Sequence, residues 1–239
     1  MQDYVLKIYY NNYLRDVRNN SESTIRHYQE ALRFISKFLV EREKIQDSIY
    51  EVQDIDELLV LKEYLFNHPD FSAVNSRGHQ MYSAGLNNYL RFAQGEGFES
   101  VNNKKLEFFD IEMPAHKEKM VKRLATYVRS PILKKQVIEI ADYKCELNAS
   151  HTTFIAKSNN KPYMEGHHAL PINLQEHFDN SLDVYANIVC LCPVCHRMLH
   201  YGLDTEKKDA VDKVYYSRKD RLAKSGILLS RDEFEQYAL

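Results

Sequence analysis

NIVCLCPVCHRMLH, residues 187–200, is the stretch on which the reading of this chain turns. Cys192 and Cys195 form a C-x-x-C knuckle, a spacing that lets two thiolates bind one tetrahedral zinc ion. His196 and His200 stand four apart, so on a helix they lie on one face and can share a second metal. Two ligand sets on one short segment imply two metals of different type. One is closed by sulfur and structural; the other is imidazole-bound and open. Cys190 alternates with Cys192 along a strand, points the other way, and reads as a small buried apolar residue.

Outward from this stretch, metal-binding residue types remain crowded. All four cysteines and six of the ten histidines fall between positions 145 and 200 of the 239 residues. Thiolates and imidazoles gather in this way where a cation is held, and four cysteines are too few for a disulfide scaffold in a chain of this length. A structural zinc needs two further ligands upstream, and Cys145 is one. The usual partner position, three residues on, holds Asn148, a poor zinc ligand. His151 is the next candidate, which makes the expected set Cys145, His151, Cys192 and Cys195.

Three segments, CELNASHTTF (145–154), YMEGHHALP (163–171) and the knuckle segment, occur in an order that resembles the HNH nucleases of the ββα-metal fold. The resemblance rests on paired histidines closing a short strand, an asparagine 19 residues later, and C-x-x-C-H-x3-H after it. It covers about a quarter of the chain. It implies that His167 is a metal ligand, that His168 is the general base, and that Asn187 holds the base and its loop. His196 and His200 would complete the metal site. Asn148 departs from the commonest upstream knuckle, which bears on the zinc set and not on the catalytic one.

That chemistry suits the residue types. An imidazole titrating near neutrality can take a proton from water. A divalent cation (Mg²⁺, Mn²⁺ or a transition metal) can stabilise the charge on phosphate and on the leaving 3′ oxygen. The resemblance implies products with 5′-phosphate and 3′-hydroxyl ends. One structural Zn²⁺ would supply rigidity that so small a unit cannot draw from its own core. Glu165 shares a strand face with His167; a role supporting the metal ligands is open to it, and ordinary exposure is the expectation. His177 is expected in a solvated loop.

The expected fold class is α+β, mostly α: a helical N-terminal bundle, then the ββα-metal nuclease domain with its structural zinc and C-terminal helices. Residues 1–100 show helical periodicity in four helices, the second capped by Ser21 or Ser23 and the third by Asp54 or Asp56. The fourth follows Asn75 and stops at Gly95. This bundle is expected to position DNA or to dimerise. STIRHYQEALRFISKFL is weakly similar to the SAM-like DNA-clamping domains of tyrosine recombinases, yet residues 1–48 carry eight basic and seven acidic side chains, no positive excess. Tyrosines at helical spacing there are expected in the core.

Residues 101–135 read as a connector and a basic helix, and 136–239 as the nuclease domain with C-terminal helices, the last capped by Ser230. Lys117, Lys122, Arg123 and Arg129 are the candidate phosphate contacts. Charge is otherwise balanced, 32 basic against 34 acidic side chains, which excludes a globally basic nucleic-acid binder. No apolar run approaches the roughly 20 residues of a membrane span, and no signal-peptide segment opens the chain. A cytoplasmic enzyme acting on double-stranded DNA is expected, with two cuts per duplex favouring a homodimer. The longer form of the motif resembles bacterial restriction endonucleases, including modification-dependent ones. A homing or phage-type HNH nuclease, or an inactive zinc-stabilised DNA-binding protein, is the alternative.

Overall fold

The computed structural model describes residues 4–113 and 129–238. The chain divides into two compact units, Met1–Phe98 and Glu99–Leu239. It is mostly helical, with a small two-stranded sheet. None of the described helices is long and apolar enough to cross a membrane.

In the first unit, α1 (Val5–Asn12) runs into a π-helical turn at Tyr13–Val17. Helix α2 (Glu22–Val40) starts at Ser21, whose side chain accepts a hydrogen bond from the Thr24 N–H. Asp54 caps α3 (Ile55–Asn67) through the N–H groups of Asp56 and Glu57. Helix α5 (Met81–Ala93) packs against α2 at close range, because Gly85 faces Ala31; a β carbon added at Gly85 would lie 2.6 Å from that of Ala31. Tyr9, Tyr10, Tyr13 and Tyr89 are buried in the core rather than displayed. Tyr10 meets Tyr89 edge to face at 5.2 Å, a geometry that suits the ring quadrupoles.

One boundary differs from expectation. Helix α4 (Pro69–Arg77), begun by Pro69 and capped by His68, is a further helix between the third and fourth that the periodicity marks. Helix α5 then begins at Met81 instead of just after Asn75, because His79 and Gln80 both take left-handed backbone angles, φ 50° and 66°, that separate the two helices. Asn75 still serves α5 from a distance. Its Oδ1 accepts the Ser83 N–H at 3.1 Å, and its Nδ2 donates to the Gln80 side chain at 2.6 Å.

In the second unit, α6 (Asn103–Leu106) precedes α7 (Pro131–Ile140), which Ser130 caps through the Leu133 N–H. Strand β1 (Glu165–His168) pairs antiparallel with β2 (Ile188–Leu191), in a register that sets His167 opposite Val189 and His168 opposite Ile188. Helix α8 (Pro193–Tyr201) follows β2 directly, opened by Cys192 and Pro193. The long α9 (Asp204–Lys224) and α10 (Arg231–Ala238) complete the unit, with Ser230 Oγ accepting the Glu233 N–H and Phe234 buried.

Two ion pairs anchor α9. Arg221 grips Asp110 in a bidentate fork at 2.6 and 2.9 Å. Buried Arg218 pairs with Glu146, whose other oxygen accepts the Cys190 N–H at 2.7 Å. The loop carrying Cys145 is thereby tied to β2 on one side and to α9 on the other.

Candidate metal centres and catalytic histidine

Strand parity sorts the side chains of β1. Glu165 and His167 share one face and are half-buried; Gly166 and His168 occupy the other and are buried. The following helix brings His196 and His200 onto the face of His167. Ligand nitrogens of His167, His196 and His200 all lie within 4.8 Å of one another. The His167 ring centroid is 5.0 Å from each of the other two.

Glu165 organises this cluster, contrary to the exposure expected of it. It is half-buried and receives a hydrogen bond from Nδ1 of His196 and another, at 3.1 Å, from the Tyr163 hydroxyl. A carboxylate can only accept, so His196 carries its proton on Nδ1, leaving the Nε2 lone pair free. That lone pair faces Nε2 of His200 at 3.1 Å. Burial, followed by the charges of His196 and His200, holds His167 down to about 3, so its imidazole is neutral. Burial, followed by the charges of His196, Arg197 and Arg129, lowers His200 as well. Three imidazoles converging at this spacing fit a divalent cation.

His168 faces away from that cluster and cannot be a fourth ligand. It is 7% exposed, and its Nε2 lies 2.8 Å from Asp183 Oδ1. The second Asp183 oxygen accepts the Ser130 N–H at 2.8 Å. As with Glu165, the acceptor-only carboxylate places the imidazole proton on Nε2 and leaves Nδ1 of His168 able to take one. Asp183 was not foreseen in the sequence. It sits 15 residues from His168 in an irregular loop, with no motif spacing to mark it.

Asn187 is fully buried, and its amide is fully employed. Oδ1 accepts the Leu170 N–H at 2.8 Å, while Nδ2 donates to the carbonyls of Leu170 and Leu182, both at 2.9 Å. It therefore clamps the turn just after His168 to the loop carrying Asp183.

The sulfur cluster lies at the other end of the hairpin. Ligand atoms of Cys145, His151, Cys192 and Cys195 lie within 4.8 Å of one another. Nδ1 of His151 is 3.3 Å from Cys195 Sγ and 3.5 Å from Cys192 Sγ. Asn148 is committed elsewhere: its Oδ1 accepts from the Ser150 N–H and hydroxyl at 3.0 and 2.8 Å.

Burial raises the Cys145 thiol, but backbone N–H groups of Cys192, Asn148 and Leu147 and the His151 side chain outweigh it and hold the group near 7. Burial and the neighbouring Cys192 and Cys145 push Cys195 up to about 12. Without a cation, the three sulfurs cannot all be thiolates. The donor set fits a structural metal such as zinc, and Cys190, buried apart from it, is not in the set.

Of the four basic candidates, Lys117, Lys122 and Arg123 lie outside the described residues. Arg129 is exposed and close enough for its charge to act on His200 and on Lys134. His177 is exposed, in a ring contact with Tyr237.

No protein-family model matches the chain. Over 89 residues it is 33% identical to the type IV methyl-directed restriction enzyme EcoKMcrA of Escherichia coli (strain K12), a match covering 37% of this chain and 29% of that enzyme. The chain thus resembles a restriction endonuclease over somewhat more than a third of its own length.

Proposed function

We propose that the protein is a metal-dependent endonuclease of the HNH, ββα-metal type that hydrolyses phosphodiester bonds of double-stranded DNA in a restriction role directed at modified bases. The observation that carries this reading is the pairing, on one four-residue strand, of a cluster imidazole with a buried histidine backed by a carboxylate. A purely structural zinc unit needs neither.

In this reading His168 is the general base. Asp183 fixes the tautomer and orientation, so Nδ1 accepts the proton of the attacking water. The water oxygen forms the new bond to phosphorus as the bond to the 3′ oxygen breaks, and the electron pair leaves with that oxygen. Asn187 keeps the base and its acidic partner in register. His167, His196 and His200 hold one divalent cation, Mg²⁺, Mn²⁺ or a transition metal, which supplies Lewis-acid stabilisation of the phosphate and the leaving oxygen. Glu165 aligns His196. A structural Zn²⁺ on Cys145, His151, Cys192 and Cys195 fixes the hairpin against α8. Arg129, with Lys117, Lys122 and Arg123, contributes phosphate contacts, and two such sites in a homodimer would cut both strands.

The direct test is digestion of matched plasmids carrying plain, methylated or hydroxymethylated cytosine, with Mg²⁺ or Mn²⁺ and with chelator. Cleavage confined to a modified substrate and abolished by chelator supports the proposal. Cleavage of the plain plasmid alone refutes the directed role. No cleavage of any substrate refutes the enzyme assignment.

A further inference from the structure

Lys134 belongs to the basic stretch of the sequence, but its surroundings set it apart. Its stem lies directly on Gly166, between Glu165 and His167. A β carbon at Gly166 would stand 2.8 Å from Lys134 Cβ and 2.9 Å from Cγ, so only glycine admits this approach. The side chain is half-buried on the strand that carries both histidines.

Among the described residues the Lys134 ammonium makes no hydrogen bond or ion pair, whereas that of neighbouring Lys135 is bonded to Glu139 at 3.0 Å and to Tyr143 at 2.9 Å. Two carboxylates, Asp183 and Glu165, lie within electrostatic reach of Lys134. Both are already engaged, Asp183 by His168 and the Ser130 N–H, Glu165 by His196 and Tyr163. A partly desolvated ammonium that no described carboxylate pairs, with its stem on the face of β1 that Gly166 shares with His168, is a preformed place for an anion. Burial, followed by the charge of Arg129, lowers its pKa, so an added negative group would be welcome.

We propose that Lys134 is a catalytic residue that binds a non-bridging oxygen of the scissile phosphate. This rests on the nuclease reading above and assigns the contact that neutralises charge on the phosphate opposite the imidazole cluster.

The test compares wild type with Lys134→Ala and Lys134→Arg in single-turnover cleavage of a modified duplex and in its equilibrium binding over a range of salt concentrations. Loss of one preorganised charged donor predicts a cleavage rate lower by roughly 10²-fold for Lys134→Ala. Lys134→Arg should recover most of it, and added alkylammonium should partly rescue Lys134→Ala. Affinity should fall severalfold, with the salt slope reduced by about one. Melting temperature and bound zinc should not change.

Rates, affinity and salt slope all within twofold of wild type would overturn the assignment. So would a loss that follows the melting temperature and is rescued by neither arginine nor amine. Should wild type cleave nothing, the nuclease reading fails on its own. The duplex affinity and salt slope of Lys134→Ala would still decide whether this ammonium meets phosphate, and unchanged values would overturn it.

Discussion

Replacing Asp183 by asparagine should disable the enzyme more than replacing it by alanine. Two N–H groups converge on the carboxylate, one from His168 Nε2 and one from the Ser130 backbone, each at 2.8 Å. An asparagine amide has a single oxygen. If that oxygen faces His168, the amide NH₂ meets the Ser130 N–H and a buried donor goes unpaired, at a cost of about 1–3 kcal/mol. If the amide turns over, Ser130 is satisfied and the NH₂ donates to Nε2 of His168. Both hydrogen bonds are then made, so this orientation wins, but it moves the imidazole proton onto Nδ1, where the base is needed. An inverted tautomer of this kind costs on the order of 10³- to 10⁴-fold in rate.

Asp183→Ala leaves His168 free to use either tautomer and removes one charge-assisted hydrogen bond worth about 1.5–3 kcal/mol, or roughly 10- to 150-fold. It also strands the buried Ser130 N–H, so stability should move the opposite way: Asp183→Ala melts lower than wild type, while Asp183→Asn melts near it. Single-turnover cleavage together with thermal melting of the three proteins reads both quantities. A cleavage rate for Asp183→Asn equal to wild type, or faster than Asp183→Ala, would refute the tautomer argument.

Three further outcomes follow from the geometry. Cys192→Ser keeps an oxygen able to cap α8 but removes a sulfur ligand; bound zinc should be lost together with several kcal/mol of stability, far beyond the roughly 1 kcal/mol of a cap. Elemental analysis and calorimetry would show it, and retention of zinc with an unchanged transition would exclude the sulfur site. Asn187→Ala strands a buried N–H and two carbonyls and should cost about 2–4 kcal/mol, visible as a lower denaturant midpoint; an unchanged midpoint would mean that the clamp is dispensable. Gly85→Ala forces apart α2 and α5 at Ala31 and should cost about 1–3 kcal/mol of stability, and equal melting temperatures would show that the contact relaxes freely.

What was legible in the sequence was whatever a fixed local spacing dictates. The four-residue interval puts His196 and His200 on one helical face, the two-residue period puts Glu165 beside His167, and Cys192 and Cys195 form a knuckle whatever the rest of the chain does. Contacts set by packing were not legible. Asp183 reaches His168 across an irregular loop, and Lys134 reaches β1 only because α7 lies on Gly166. Glu165 read as exposed because nothing in its own segment reveals that His196 returns to meet it. The α4–α5 break eluded the periodicity for a related reason: past Gly78, the two left-handed residues are His79 and Gln80, types that do not announce such angles, and Gln80 is bonded to the Asn75 side chain.

In the proposed reaction His168 removes a proton from water beside a metal that His167, His196 and His200 would hold. Its most direct test is the single-turnover cleavage of a modified duplex by wild type and His168→Ala, with bound metal measured in both. The variant's rate should be at least about 10²-fold lower at undiminished metal content. Equal rates in the two proteins would contradict it.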